Sequence, residues 1–479
     1  MKSPQYLYFK IRFTFPILIG ASLLLLFSFS SELISESYSN YLWDDYKAQQ
    51  DWGRVKLRTL TRLEESKPER TDGFGSYYKI YGAGLFRSQK GGEDKDEAGK
   101  YLGAGIINPQ VGFYYQSGTS FLSMTLAPRV IAYESKLIEE RRNSVWDAEG
   151  IVSMGTTLQN IRIHLEGGRG WQRLDGFGFL FNGMSNYGQI QIAKNEIISL
   201  SLVTLRMKPE EESLRPKAWD HERKEIWGGA IRSGDLLFWE SLQLFSYIYR
   251  EPKSVVSDDL FTSNSNYGSF MYNGFEFRSM KFWETASVDL SVIRLIGSRK
   301  FKSYPWSESE QSTNSILAYS SIHGEFKKIL LAMSGLYTKK DKKERSDADS
   351  NGYAAPLAEP RVMGGYSSFL LYESVSLPND RLFYDILDKQ VPGFENKGIR
   401  MIGIQSGHQF YSYLRGDIYI NRSYSEIGQG TEVILKTTSN LEEFFNGFFS
   451  ASLAYARVEQ KGENNRDFFR IYLSSGFQF

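Results

Sequence analysis

Residues 468–479 read FFRIYLSSGFQF, and this stretch decides the fold. Counting back by twos from the end gives one face: Phe479, Phe477, Ser475, Leu473, Ile471 and Phe469. The residues between them, Gln478, Gly476, Ser474, Tyr472, Arg470 and Phe468, make the other. A period of two is the signature of a β-strand lying between unlike environments, because successive side chains leave opposite faces of the pleat. A strand that crosses a bilayer needs about 9–11 residues, apolar outward, polar inward, with an aromatic at each interface. This stretch satisfies those requirements. Soluble domains usually fray into polar residues at their ends, so a terminus this aromatic favours a transmembrane barrel over a soluble β-protein ending on an edge strand.

The terminal Phe resembles the C-terminal strand that ends many bacterial outer-membrane barrels. In that family the last strand closes on the first and is the signal read by the barrel-assembly machinery, a role the resemblance gives to Phe477 and Phe479. The other end agrees. Lys2, Lys10 and Arg12 precede an apolar run from Phe13 to Phe27, and Ser28-Phe29-Ser30 puts small residues at alternate positions. That is the pattern of a signal peptide, and the run is shorter than the roughly 20 residues of a spanning helix. The expected organisation is a signal peptide over 1–30, a short periplasmic segment over 31–50 and a barrel over 51–479. The chain has no cysteine, which excludes a lipid anchor, disulfides, thiolate catalysis and Cys-bound metals.

Composition supports an all-β transmembrane antiparallel up-and-down barrel in the outer membrane of a diderm (Gram-negative) bacterium. Aromatics are 15% of the 479 residues, enough for interface girdles, while hydrophobic residues reach only 41%, as expected if half of each strand faces water. Without the three basic residues of the signal, 54 basic side chains stand against 56 acidic ones, which argues against a nucleic-acid partner.

Alternating segments recur along the chain. Trp52–Leu60 sets Val55 and Leu57 against Arg54, Lys56 and Arg58; Ile161–Glu166 sets Ile161, Ile163 and Leu165 against Arg162, His164 and Glu166. Phe275 and Phe277 alternate with Glu276 and Arg278, and Leu414, Ile418 and Ile420 with Arg415, Asp417 and Asn421. Apolar runs such as Ile329–Tyr337, Met363–Tyr372 and Ile399–Gln405 read as further strands. Nine hydrophilic stretches between them, among them Glu134–Glu149, Lys208–Glu225, Arg299–Asn314 and Pro378–Lys397, read as external loops. One long loop per hairpin then gives about 16–18 strands.

Catalytic signals are thin. Of the four histidines, His164 lies on an inward face where it could titrate, and Ser406 and His408 share a face without a nucleophile elbow. No enzyme and no cofactor are expected. Asp347, Asp349 and Asn351 open like a calcium loop, but the twelfth position is Ala358 rather than a bidentate Glu, so the stretch reads as a solvated turn and no metal is assigned. Glycine clusters such as Gly167-Gly168-Arg169-Gly170 lack a following helix and mark close packing instead.

The inward faces carry the functional expectation. They gather Arg54, Lys56, Arg58, Arg162, Arg278, Arg400, Arg415, Lys436 and Arg470, against Glu166, Glu276, Asp417 and Glu432. Basic rings in a pore select anions, unless each Arg is neutralised by a carboxylate on a neighbouring strand. The Arg-rich GRVKLRTLTRLEES from Gly53 and the stretch from Tyr353 to Gly365 resemble the alginate-export type of barrel. That resemblance implies eighteen strands and an electropositive lumen passing anionic polysaccharide. The expected function is therefore a channel for hydrophilic, anionic solutes or polysaccharide, bounded by outer-membrane lipid. The competing reading is a blocked barrel whose loops make it an adhesin or a structural surface protein.

Overall fold

The structure, a computed structural model, describes residues 72–478 except 92–99, 136–140, 195–196, 208–223, 235–237, 252–266, 283–284, 304–306, 341–351, 357, 359, 361, 372–397, 426–427, 442–446 and 461–464. The expected signal peptide, periplasmic segment and first strand, Trp52–Leu60, lie outside the described residues, as do Asp347, Asp349, Asn351 and Phe479.

Eighteen strands follow one another: β1 (Gly73–Gly91), β2 (Lys100–Ser117), β3 (Ser120–Ser135), β4 (Arg141–Leu158), β5 (Ile161–Arg173), β6 (Asn182–Lys194), β7 (Ile198–Met207), β8 (Glu225–Ser233) and β9 (Trp239–Glu251). The second half continues with β10 (Tyr267–Ser279), β11 (Ala286–Ser303), β12 (Ser307–Phe326), β13 (Ile329–Thr338), β14 (Ile399–Tyr411), β15 (Leu414–Ser425), β16 (Gly428–Asn440), β17 (Gly447–Gln460) and β18 (Arg466–Gln478). Each strand pairs antiparallel with its neighbours in sequence, and β18 pairs with β1. The sheet is thus a closed up-and-down barrel. Closure leaves no open edge where all eighteen strands overlap, so the backbone there pairs within the wall.

The final strand closes the ring as its alternation requires. Gly82 of β1 lies opposite Phe477, whose ring occupies the space a Cβ at Gly82 would take. Arg470, Tyr472, Ser474 and Gly476 are buried, whereas Phe469 on the other face is exposed. The same phase holds elsewhere. Ile402, Ile404, Ile418, Ile420, Leu435 and Leu453 are exposed on the outer wall of β14–β17. Their sequence neighbours Met401, Tyr419, Ile434 and Ala454 are buried inside. Connections at one end are short. Gly118, Gln159 and Lys327 open two-residue turns with positive φ of 54–56°, the mirror-image geometry that follows the twist of a hairpin. Long connections gather at the other end.

Three expectations need correction. Glu134–Glu149 is not a loop: β3 runs to Ser135, and β4 starts at Arg141. Arg299–Asn314 likewise belongs largely to β11 and β12, whose polar upper portions continue the ladder to Ser303 and from Ser307. In both places strands rise beyond the apolar belt, so polar composition misled. Met363–Tyr372, expected as a strand, is instead non-strand over its described residues 363–371, with a 3-10 turn at Gly365–Ser367, and these are largely buried inside the barrel, where an apolar run needs no membrane.

Candidate functional site: the apolar and polar sides of the lumen

Inside the barrel, two connecting segments turn inward. The first, residues 174–181, links β5 to β6 and reads LDGFGFLF. Asp175 organises it, accepting the backbone N–H groups of Phe179 (2.6 Å), Leu180 (2.9 Å) and Phe181 (3.3 Å). Wall residues hold its start. Gln243 and Tyr247 donate to the Leu174 carbonyl at 3.1 and 3.4 Å, and Gly176 N–H donates to Glu276 at 2.8 Å. Burial pushes the Asp175 carboxyl above its ordinary range, against those three N–H bonds and the Arg173 charge.

The second segment, residues 352–371, comes from the β13–β14 connection. Its grip is Glu432 of β16, a fully buried carboxylate that accepts the Ser368 hydroxyl, Phe369 N–H (2.8 Å), Leu370 N–H (3.0 Å) and Asn421 Nδ2 (2.7 Å). Arg470 of β18 donates to the Ser368 carbonyl at 3.0 Å and lies 5.1 Å from the centroid of the Phe369 ring, which also stacks on Phe468. The two segments touch: Tyr353 donates to the Phe179 carbonyl at 3.4 Å.

Together they cover one arc of the lumen. Inward Leu205, Tyr247, Tyr272, Leu295, Leu317, Leu336 and Met401, from β7 through β14, form one buried apolar cluster with Phe177, Phe179, Tyr353, Val362 and Leu371. The arc from β1 to β5 is different. Its buried inward residues include Lys79, Arg87, Asn108, Gln110, Ser123, Thr125, Arg129, Glu149, Ser153 and Glu166.

The predicted basic positions separate into several groups. Arg54, Lys56 and Arg58 lie outside the described residues. Arg162 and Lys436 are half-buried on inward-facing positions of β5 and β16. Arg278 is buried and donates to Asp289 through Nε (2.8 Å) and Nη2 (3.0 Å). Arg415 is buried and bonds Asp417 through both Nε and Nη2. Arg400 must be corrected: it is exposed on the outer wall, 5.9 Å from the Tyr337 ring centroid, because Ile399 and Met401 turn inward to meet the second segment. Of the predicted acids, Glu166 accepts the Tyr187 hydroxyl at 2.6 Å, while Glu276 and Glu432 hold loop backbone.

Residues missed from sequence include the inward pair Arg129 and Glu149, 3.8 Å apart, hidden by reading the start of β4 as loop. Arg232, donating to Gln243 at 2.8 Å, was missed with β8. Among the described buried residues eight Lys or Arg face seven Asp or Glu, so basic excess is a property of one arc and not of the whole lumen. His164 is buried 4.0 Å from Glu166 beside the Phe121 ring. Ser406 and His408 lie on the outer wall, the latter edge-on to Phe410, away from any enclosed site.

No family model and no curated protein matches the chain. Solved structures do. The crystal structure of Pseudomonas aeruginosa OpdQ matches with a TM-score of 0.52 at 10% identity, covering 84% of this chain and 99% of its own. OccK1 (OpdK) of the same organism matches at 0.50 and 8% identity over 84% and 99%. OccK2 (OpdF), solved in complex with glucuronate, matches at 0.50 and 11% identity over 85% and 100%. They lend the alginate-export resemblance no support. What they share with this chain is the fold, a closed antiparallel up-and-down β-barrel.

Proposed function

We propose that the chain is an outer-membrane channel for small hydrophilic solutes carrying a carboxylate, with the solute passing along the β1–β5 arc. The observation that carries this reading is the asymmetry of the lumen. Lys79, Arg87 and Arg129 stand among Asn108, Gln110, Ser123 and Ser153 on one side, while two inserted segments fill the other. An eighteen-stranded barrel encloses more space than its own side chains fill, and charge on its wall concentrates counter-ions. Arginine grips a carboxylate as a fork, which favours sugar acids over neutral sugars. The glucuronate complex of the similarly folded OccK2 is consistent with that cargo class. A narrowed lumen suits a small solute better than a polysaccharide.

In this reading Arg162, Lys436, Arg470 and the N-terminal Arg54, Lys56 and Arg58 contribute to the field at the wall, and Arg278 and Arg415 chiefly hold their carboxylates. Export follows removal of residues 1–30, and Phe477 and Phe479 guide assembly. Reversal potential of the reconstituted protein in a salt gradient is the test. Anion preference is expected, together with faster liposome swelling in glucuronate than in glucose. Cation preference would remove the basic-arc argument.

The filled apolar arc favours one second reading, a blocked barrel that presents its loops as an adhesin or structural protein. A silent planar bilayer at all voltages would select it.

A further inference from the structure

The outer wall changes character across β4–β9. Residues paired side by side there form a row, Val152, Gly167, Gly188, Thr204 and Trp227, running from β4 to β8. The parallel row one step nearer the short turns is Met154, Leu165, Ile190, Leu202 and Gly229. Where other strands raise large apolar side chains, two glycines stand shoulder to shoulder, and the wall sinks between Val152 and Trp227. The result is an open-sided apolar groove of about 820 Å³, within the roughly 300–1,000 Å³ of ordinary ligand clefts. Its floor resists filling at one end: a Cβ on Gly229 would come within 2.7 Å of the Ser201 carbonyl oxygen.

One step toward the long loops, the next row is Gly150, Arg169, Asn186, Arg206, Glu225 and Arg250. All point outward, and Asn186, Arg206 and Arg250 are exposed. Among the described residues of this row three arginines therefore border the groove against one carboxylate, Glu225, which Arg206 meets at 2.9 Å. Each of these positions is the fifth or sixth outward residue from its short turn, about 20 Å along the barrel axis at 3.3 Å per residue and a tilt near 40°. That is the height of the interface on the long-loop side.

We propose that this groove is a binding site for an anionic, phosphate-bearing glycolipid of the outer leaflet. An acyl chain lies over Gly167 and Gly188, and the lipid's phosphates lie along the row of Arg169, Arg206 and Arg250. The inference rests on the membrane reading above. Basic clusters beside an apolar crevice recognise lipid phosphates by charge and chain together. A second copy of the chain is a poorer occupant, since a two-fold interface at this height would set the arginine row against itself.

The test uses full-length protein extracted in mild detergent and examined by native mass spectrometry with added bisphosphorylated lipid A, its dephosphorylated counterpart, or phosphatidylcholine. Lipid A should be retained most strongly. Arg206→Gln with Arg250→Gln should weaken retention roughly 25-fold, about fivefold per basic residue. Gly188→Leu should displace the chain; a Cβ there meets Thr204 Cγ2 at an ordinary 3.6 Å, so the wall tolerates the change. Heat-modifiable migration and conductance should be unaltered in both variants. Their loss in the wild type would count against the membrane reading, whereas normal barrels with undiminished retention in both variants would overturn the lipid site. Equal retention of the dephosphorylated lipid would overturn it too, as would a wild-type dimer that Gly188→Leu splits.

Discussion

The two arcs of the lumen are built from strands with the same antiparallel pairing, yet they solve opposite problems. On β1–β5 the inward residues are polar, as in Gln110, Ser123 and Ser153, and the Ser123 and Ser153 hydroxyls bond across strands at 2.7 Å. Such a face is content beside water. On β7–β14 a band of inward positions carries Leu205, Tyr247, Leu295, Leu317 and Leu336, so those stretches are apolar on both faces, while Gln243, Glu276, Arg278 and Asp289 keep the inner face polar nearer the short turns. Left to water, that inner surface would cost about 25 cal/mol per Å². Residues 174–181 and 352–371 cover it. The difference teaches that a barrel strand apolar on both faces announces an occupant for the lumen, and the sequence must supply that occupant from a loop.

The largest way to break the comparison is Glu432→Ala. Four donors converge on this carboxylate, and removing it leaves buried N–H groups at about 1–3 kcal/mol each. The second segment should leave the wall, expose the apolar arc and raise single-channel conductance about twofold or more, since the lumen of a barrel this wide is open wherever nothing fills it. Glu432→Gln, which keeps an acceptor, should fall between. Unchanged conductance in the Ala variant would mean that the apolar contacts alone hold the segment.

Second in size is reversal of charge on the other arc. Lys79→Glu with Arg87→Glu replaces two buried inward cations by anions on β1. If solutes follow this arc, the reversal potential should shift toward cation selectivity while conductance changes little. The same exchange at Arg400, on the outer wall, should leave selectivity alone. An equal shift from both sites would indicate a diffuse field with no path.

How much of this was legible follows from where each signal resides. The register of β18, β15 and β17 was readable because Phe469, Ile418 and Leu453 face outward and Arg470, Asp417 and Ala454 inward, a contrast written in the residues themselves. Arg400 defeated the same logic: its neighbours Ile399 and Met401 are apolar because they touch a loop, and nothing local distinguishes that from lipid. Asp175 and Glu432 are ordinary acids in sequence. The backbone donors to Glu432 lie 62 and 63 positions away, and those to Asp175, only four to six positions on, are grouped by a turn that the acid alone does not announce. The Asp175-Gly176 turn ahead of three phenylalanines was the available hint for the first segment.

A smaller effect concerns pH. The Asp175 carboxyl, packed near Arg173, Glu276 and Tyr353, is raised by burial, so the fold favours its neutral form. Its contribution to holding residues 174–181 is then complete below the ordinary carboxylate value of about 3.9 and is lost as pH rises through the elevated value. Open-channel noise should increase over that rise in the wild type. Asp175→Asn retains an acceptor oxygen with no charge to bury, and its noise should rise less than the wild type's across the same range, with the neighbouring Glu276 still holding Gly176. A wild type whose noise rises no more than the variant's would remove Asp175 from any pH response.

The finest adjustment is Tyr353→Phe. The hydroxyl lost is the one that joins the two inserted segments, and its bond to the Phe179 carbonyl is long at 3.4 Å. The ring, fully buried and set edge-on to Tyr272, stays. A net hydrogen bond is worth about 0.5–1.5 kcal/mol, and one this long belongs at the low end. The variant should keep its conductance and selectivity and lose only a little in thermal stability. Its use lies in a double variant with Glu432→Gln. If the segments support one another, the loss on combining the two should exceed the sum of the single losses, because a loosened second segment then has nothing to rest against. Strict additivity would show that each segment is held by the wall alone, so that the apolar arc has two independent covers.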